Sequence, residues 1–176
     1  MAILARINHQ LASGLSGLRK RFKGDELVTI SDYLDERLVV FLEVDERDKA
    51  IRALVDLLDS NGKLQDPEVF LRAILDREKI VSTGIGMGVA VPHAKIEECD
   101  DFFLAVGIQA KPGIEWNALD GVPVHLIFMI GGPNQEQAQY LRLLSSLTSA
   151  IKDPERRKKL LKATTPKQVV ALFEGC

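Results

Sequence analysis

The chain has only two cysteines, Cys99 and Cys176, which lie far apart and form no Cys-x-x-Cys pair, so neither a disulfide framework nor a zinc knuckle is encoded. That usage fits a reducing, cytoplasmic compartment. No uninterrupted apolar run approaches the ~20 residues that a membrane-spanning helix requires, which excludes an integral membrane segment. Nor is there an excess of one charge: 23 Lys and Arg against 25 Asp and Glu give a formal net charge of -2, which argues against a nucleic-acid partner. The three histidines, His9, His93 and His125, show no metal-ligand spacing, and nothing in the chain demands a metal or a cofactor.

What is present is the mixture of a soluble globular protein, 46% hydrophobic and 27% charged residues in a chain of 176, enough for one domain and a short appendage. Residues 1–26 read as that appendage. Up to Gly24 it contains Arg6, Arg19, Lys20, Arg21 and Lys23 but no acidic residue, and Leu4, Ile7, Leu11, Leu15, Leu18 and Phe22 fall on one helical stripe. Gly14 and Gly17 each weaken such a helix by roughly 1 kcal/mol relative to alanine, so it needs a surface to lie on. The candidates are the domain itself, a second subunit in a homodimer, or an anionic membrane face, with a disordered arm as the remaining reading. Ser13, Ser16, His9 and Gln10 interrupt the apolar core that a secretory signal would have.

Residues 27–176 read as a single α/β (α+β) domain, a mixed β-sheet flanked by helices on both sides. Val39 to Val44 is a short strand rich in branched residues. Ala50, Ile51, Leu54, Val55 and Leu58 mark a helix that stops at Asn61-Gly62, and Asp66-Pro67 caps and opens a second with Phe70, Ala73 and Ile74 on its apolar face. Phe102 to Ile108 and Val122 to Ile130 are strand-like, the latter continuous enough to be buried on both faces. Gly131-Gly132-Pro133 is expected to break it, and Asn134 with Gln137 to form a capping box for a helix to about Ile151. Asp153-Pro154 and Thr165-Pro166 begin two further short helices.

The segment with chemistry in it is Ser82-Thr83-Gly84-Ile85-Gly86-Met87-Gly88-Val89-Ala90-Val91-Pro92-His93-Ala94-Lys95. Pro92 disfavours helix at Val91 and fixes its own φ, so the backbone reaches His93 extended and sets the imidazole at the end of a strand. A neutral imidazole is a nucleophile near pH 7 and forms a phosphoramidate that is readily passed on. Gly84, Gly86 and Gly88 let the backbone approach phosphoryl oxygens, Ser82 and Thr83 offer hydroxyl donors, and Arg77 offers a charged planar fork. Read singly, each has a plainer meaning: turn glycines, a turn histidine, a capping Ser-Thr pair, a solvated arginine at a helix end. A dinucleotide fingerprint is excluded by the glycine spacing, and no Gly-Lys-Ser/Thr follows. The acidic run Glu97 to Asp101 reads as a solvated turn, His125 as a buried or strand-end residue, and His9 as part of the arm.

The whole string from Leu75 to His93 resembles the active-site segment of enzyme IIA domains of the fructose/mannitol type in the bacterial phosphotransferase system, including the nitrogen-regulatory paralogues, and the likeness extends over roughly residues 27 to 174. The resemblance implies a phosphohistidine at His93, charged by the histidine-containing phosphocarrier protein, with Arg77 as the arginine near the site. In sugar-uptake members the group passes to a cysteine of a IIB domain; in stand-alone nitrogen-regulatory members the two charge states bind different regulatory target proteins. Two positions depart from the family pattern. Met87 stands where asparagine is frequent, and Tyr140 where many members carry a second histidine. Three readings follow: a regulatory phosphocarrier, which the chain's lack of room for IIB and IIC parts favours, a sugar-uptake component, and a binding module that has lost transfer.

Overall fold

A computed structural model describes residues 28–97 and 99–176; the expected basic helix lies outside the described residues. After a 3-10 turn at Ile30–Asp32 the described chain runs β1 (Leu34–Phe41), α1 (Arg47–Ser60), α2 (Pro67–Ile80), β2 (Gly84–Gly86), β3 (Val89–Ala90), β4 (His93–Ile96), β5 (Phe103–Ile108), β6 (Leu126–Pro133), α3 (Gln137–Lys152), α4 (Pro154–Lys162) and α5 (Pro166–Ala171). The strands form one mixed sheet in the order β1-β5-β6-β3-β2, and β4 follows β3 along the same edge of β6. β1 runs parallel to β5, and β3 and β4 parallel to β6, whereas β5 with β6 and β2 with β3 are antiparallel.

Helices cover both faces. Residues of β5 and β6 alternate between them: Leu104, Val106, Phe128 and Ile130 pack with Leu143, Leu147, Leu160 and Phe173 of the α3–α5 side, while Phe103, Ala105, Ile127 and Met129 pack with Ile51, Leu54, Phe70 and Ile74 of α1 and α2. This accounts for the unbroken apolar reading of both strands, since each face meets a helix layer. The helix boundaries follow local chemistry. Asp66 accepts hydrogen bonds from the Glu68 and Val69 amides ahead of Pro67, Gly62 takes φ +68 just past α1, and Thr165 with Gln168 closes a capping box at α5.

Four local expectations are corrected. β1 begins at Leu34 rather than Val39; its polar Asp35-Glu36-Arg37 stretch, where the register with β5 shifts, hides the start. It ends at Phe41 because Val44 pairs its amide with the Gln109 side chain instead of a strand. β6 runs from Leu126 to Pro133, not from Val122, and Val124 makes only an isolated bridge with Ile114. Gly131 and Gly132 do not break the strand; they continue it beneath aromatic rings, because a Cβ on Gly131 would lie 2.2 Å from Phe103 Cζ and one on Gly132 2.0 Å from Phe102 Cδ1. Finally, α3 is preceded by Glu136 with no side-chain cap, so the Asn134-Gln137 capping box is absent; the Gln137 side chain is bonded to Lys95.

Gly132→Ala is expected to destabilise the fold by roughly 1–3 kcal/mol, because Phe102 must leave its place in the layer, and urea unfolding measures the loss. Met87, at φ +61 between Gly86 and Gly88, occupies backbone that a branched or long side chain adopts only at a cost. Met87→Asn or Met87→Gly should therefore raise the free energy of unfolding by about 1 kcal/mol in the same assay.

Candidate active site

His93 opens β4 and does not end a strand, as the Pro-His pair had implied. β3 stops at Ala90, Val91 donates its amide to Thr83, and the Pro92 carbonyl accepts from Ile130 before β4 resumes pairing at His93 and Ile130. Proline has no N–H to give the ladder, so the break falls where a strand loses nothing by it. The ring folds back so that Nδ1 lies 2.9 Å from the Val91 carbonyl oxygen. A carbonyl only accepts, so Nδ1 carries the hydrogen and Nε2 keeps its lone pair. Partial burial lowers the imidazole pKa below its ordinary 6.5; the Val91 hydrogen bond opposes this, the Arg77 and Lys95 cations add to it, and Glu78 works against them. The resting ring is thus uncharged at neutral pH and held in one orientation.

Tyr140 of α3 lies against this ring, with centroids 5.7 Å apart, and stacks in turn on Phe102 at 6.3 Å. Burial holds its phenol above the usual pKa, so it is a neutral hydroxyl at pH 7. Lys95 shares the His93 face of β4, being two residues along, and its Nζ sits 4.9 Å from the Tyr140 centroid while bonding Gln137 Oε1. In the sequence Lys95 only closes the Ser82 to Lys95 stretch, with no role of its own, and Gln137 reads as a capping residue rather than as a neighbour of the site. Period-two alternation from His93 was the available signal for Lys95; nothing local pointed to Gln137.

Arg77, near the end of α2, donates to the Val81 carbonyl at 3.0 Å and is close enough to act electrostatically on both His93 and Tyr140. The five residues expected to face phosphoryl oxygens are placed differently. The Ser82 hydroxyl donates to the Trp116 carbonyl and accepts from the Gly84 amide. Thr83 is buried, and both its amide and its hydroxyl are bonded to the Glu78 carboxylate. Gly84 is a packing glycine, its Cβ position lying 2.9 Å from Ala118. Gly86 and Gly88 form the left-handed β2–β3 turn with Met87, whose amide is held by Asp120 at 2.8 Å. Gly88 is bonded to Leu126 and His93 pairs with Ile130, so the turn lies roughly 13 Å along the sheet from the imidazole at 3.3 Å per residue. In place of the expected row of glycine amides around His93, Gly86 and Gly88 form a hairpin turn at a distance from the ring. His125 is structural, its Nδ1 bonding the Gln109 carbonyl at 2.8 Å.

Residues 32–176 match the family model described as phosphoenolpyruvate-dependent sugar phosphotransferase system, EIIA 2. The chain belongs to this family. Domains of the family are components of a phosphotransferase, and its relatives here include both sugar-specific and nitrogen-regulatory proteins. The fructose-specific EIIABC component of Bacillus subtilis is 38% identical over 132 residues, 75% of this chain and 21% of that protein, so the chain spans about a fifth of it. The nitrogen regulatory protein of Escherichia coli is 37% identical over 109 residues, 61% of this chain and 66% of that protein. In fold, the nitrogen regulatory protein IIA-Ntr of Neisseria meningitidis superposes with a TM-score of 0.76 at 26% identity, covering 82% of this chain and 98% of that one. No helix among the described residues is long and apolar enough to cross a membrane.

The His93 titration midpoint, followed by the imidazole carbon-bound proton resonance, is expected below 6.5. Because the folded value is the lower one, the native state binds fewer protons. Its stabilising contribution is complete above pH 6.5 and is lost as pH falls through the folded midpoint.

Proposed function

We propose that this chain is a cytoplasmic phosphohistidine carrier that accepts a phosphoryl group on His93 Nε2 from the histidine-containing phosphocarrier protein. The observation that carries the reading is the bond from Nδ1 to the Val91 carbonyl, which leaves Nε2 as the free lone pair. The lone pair attacks phosphorus, the donor's nitrogen–phosphorus bond breaks with its electron pair returning to the donor imidazole, and His93 gains the new bond. Positive charge that develops on the ring is spread toward the Val91 oxygen. The phosphoryl group brings close to two negative charges, and Arg77 and Lys95 are the cations that bear on this ring. Tyr140 walls one side of the ring and keeps it out of bulk water.

Within that reading we place the chain with the nitrogen-regulatory type, in which the charged and uncharged forms bind different targets; the TM-score of 0.76 with the meningococcal regulatory protein, against 0.67 with the mannitol IIA protein of Escherichia coli, supports this. The second reading is a sugar-uptake component passing the group to a IIB cysteine, which the 38% identity to the fructose-specific protein favours. Incubation with labelled phosphoenolpyruvate and the general carrier proteins should give acid-labile label in the wild type and none in His93→Ala. Label retained in the variant refutes the site. No label in either favours a binding module without transfer, and onward passage of label to a fructose-type IIB domain favours uptake over regulation.

A further inference from the structure

Glu78 is a carboxylate at the end of α2 that is only 4% exposed, beneath the site and unused by the chemistry above. A buried carboxylate is costly unless its oxygens are bonded, and this one accepts three hydrogen bonds: from the Thr83 amide at 2.8 Å, the Thr83 hydroxyl at 2.6 Å and the Trp116 indole N–H at 3.0 Å. Thr83 and Trp116 are themselves 5% and 1% exposed, so the cluster is sealed from water. Its bonds do not end there. The Thr83 carbonyl accepts from the Val91 amide at 3.0 Å, and the Val91 carbonyl is the group that holds His93 Nδ1.

We propose that Glu78 is a positioning residue for His93, fixing through Thr83 and Val91 the tautomer that leaves Nε2 free. The links run through Val91 as a residue: the carboxylate clamps Thr83 from both its amide and its hydroxyl, the Thr83 carbonyl anchors Val91 by its amide, and the carbonyl of the same anchored residue, in the next peptide unit, accepts from His93 Nδ1. An arrangement in which a buried acid orients an imidazole by direct contact is here carried out at two residues' remove, so that Glu78 itself does not touch the ring. The charges that face the imidazole are Arg77 and Glu78 from α2 and Lys95 from β4, with the neutral Tyr140 phenol from α3. Glu78 is the one anion among them, so its charge also favours the cationic ring formed during transfer. Trp116 explains why the cluster was invisible in sequence: it lies 38 residues from Glu78 and 33 from Thr83.

The inference rests on His93 being the phosphoryl acceptor, and its test separates the two. Glu78→Gln keeps the shape and removes the charge and one acceptor. Nitrogen-15 shifts of the His93 ring should show the Nδ1–H tautomer in the wild type and a mixture in the variant, with the titration midpoint moved down. Phosphoryl acceptance should fall about tenfold, the scale on which groups that orient an imidazole act. Glu78→Asp should restore part of both, and Thr83→Val, which keeps the amide bond but loses the hydroxyl, should show a smaller effect and serves if Glu78→Gln fails to fold. An unchanged tautomer and midpoint in a folded Glu78→Gln or Thr83→Val protein overturn the relay. A wild type that accepts no label while its tautomer still responds to Glu78 overturns the carrier reading alone.

Discussion

One hydrogen bond, from His93 Nδ1 to the carbonyl of Val91, governs how the rest of this structure bears on chemistry. It decides which nitrogen is free, and it can form only because the chain turns out of the ladder at Val91 and Pro92 and re-enters it at His93. Proline makes that interruption possible without an orphaned amide, since it has none to lose. β6 is the common rail: β3 pairs with its first residues and β4 with its last, so the break between them occurs against a continuous strand and the imidazole is fixed by the sheet's register.

Around that bond the fold supplies two unlike environments. On the α3 side an aromatic layer of Phe102 and Tyr140 reaches the ring, made possible by Gly132, which leaves room for the Phe102 ring over the end of β6. On the α2 side lies polar support, with Arg77 half-buried and the Glu78, Thr83 and Trp116 cluster fully buried. Low polarity on one flank keeps the imidazole neutral, and cations near it favour an arriving anion. The same features that depress proton binding thus suit the site to receive a phosphoryl group.

The mixed sheet between helix layers was legible in the sequence, because the apolar runs at Phe103–Ile108 and Leu126–Ile130 and the caps at Asp66, Asp153 and Thr165 are local signals that their environments reinforce. The Pro-His pair likewise announced an imidazole on extended backbone, which the structure half-buries. Strand ends were read less well. The polar start of β1 and the glycine-proline end of β6 contradict local propensity, and each is stabilised by a neighbour: the β5 ladder in one case and phenylalanine rings in the other. The glycine run misled in a similar way, since Gly86 and Gly88 answer the need for positive φ in a hairpin, a need that sequence alone does not distinguish from a phosphate cradle.

Sequence by itself determined the class of fold and the membership of the family and put forward His93 as the candidate for the centre of the site, because all three are written in contiguous patterns of polarity, capping and the Ser82 to His93 string. Tertiary structure alone decided what surrounds that residue. Tyr140 and Gln137 come from a helix more than forty residues away, Trp116 from a loop, and Lys95 becomes a partner only once Tyr140 lies under it. Such contacts are set by sheet register and the packing of helices onto it, and neither quantity is a property of any short stretch of chain.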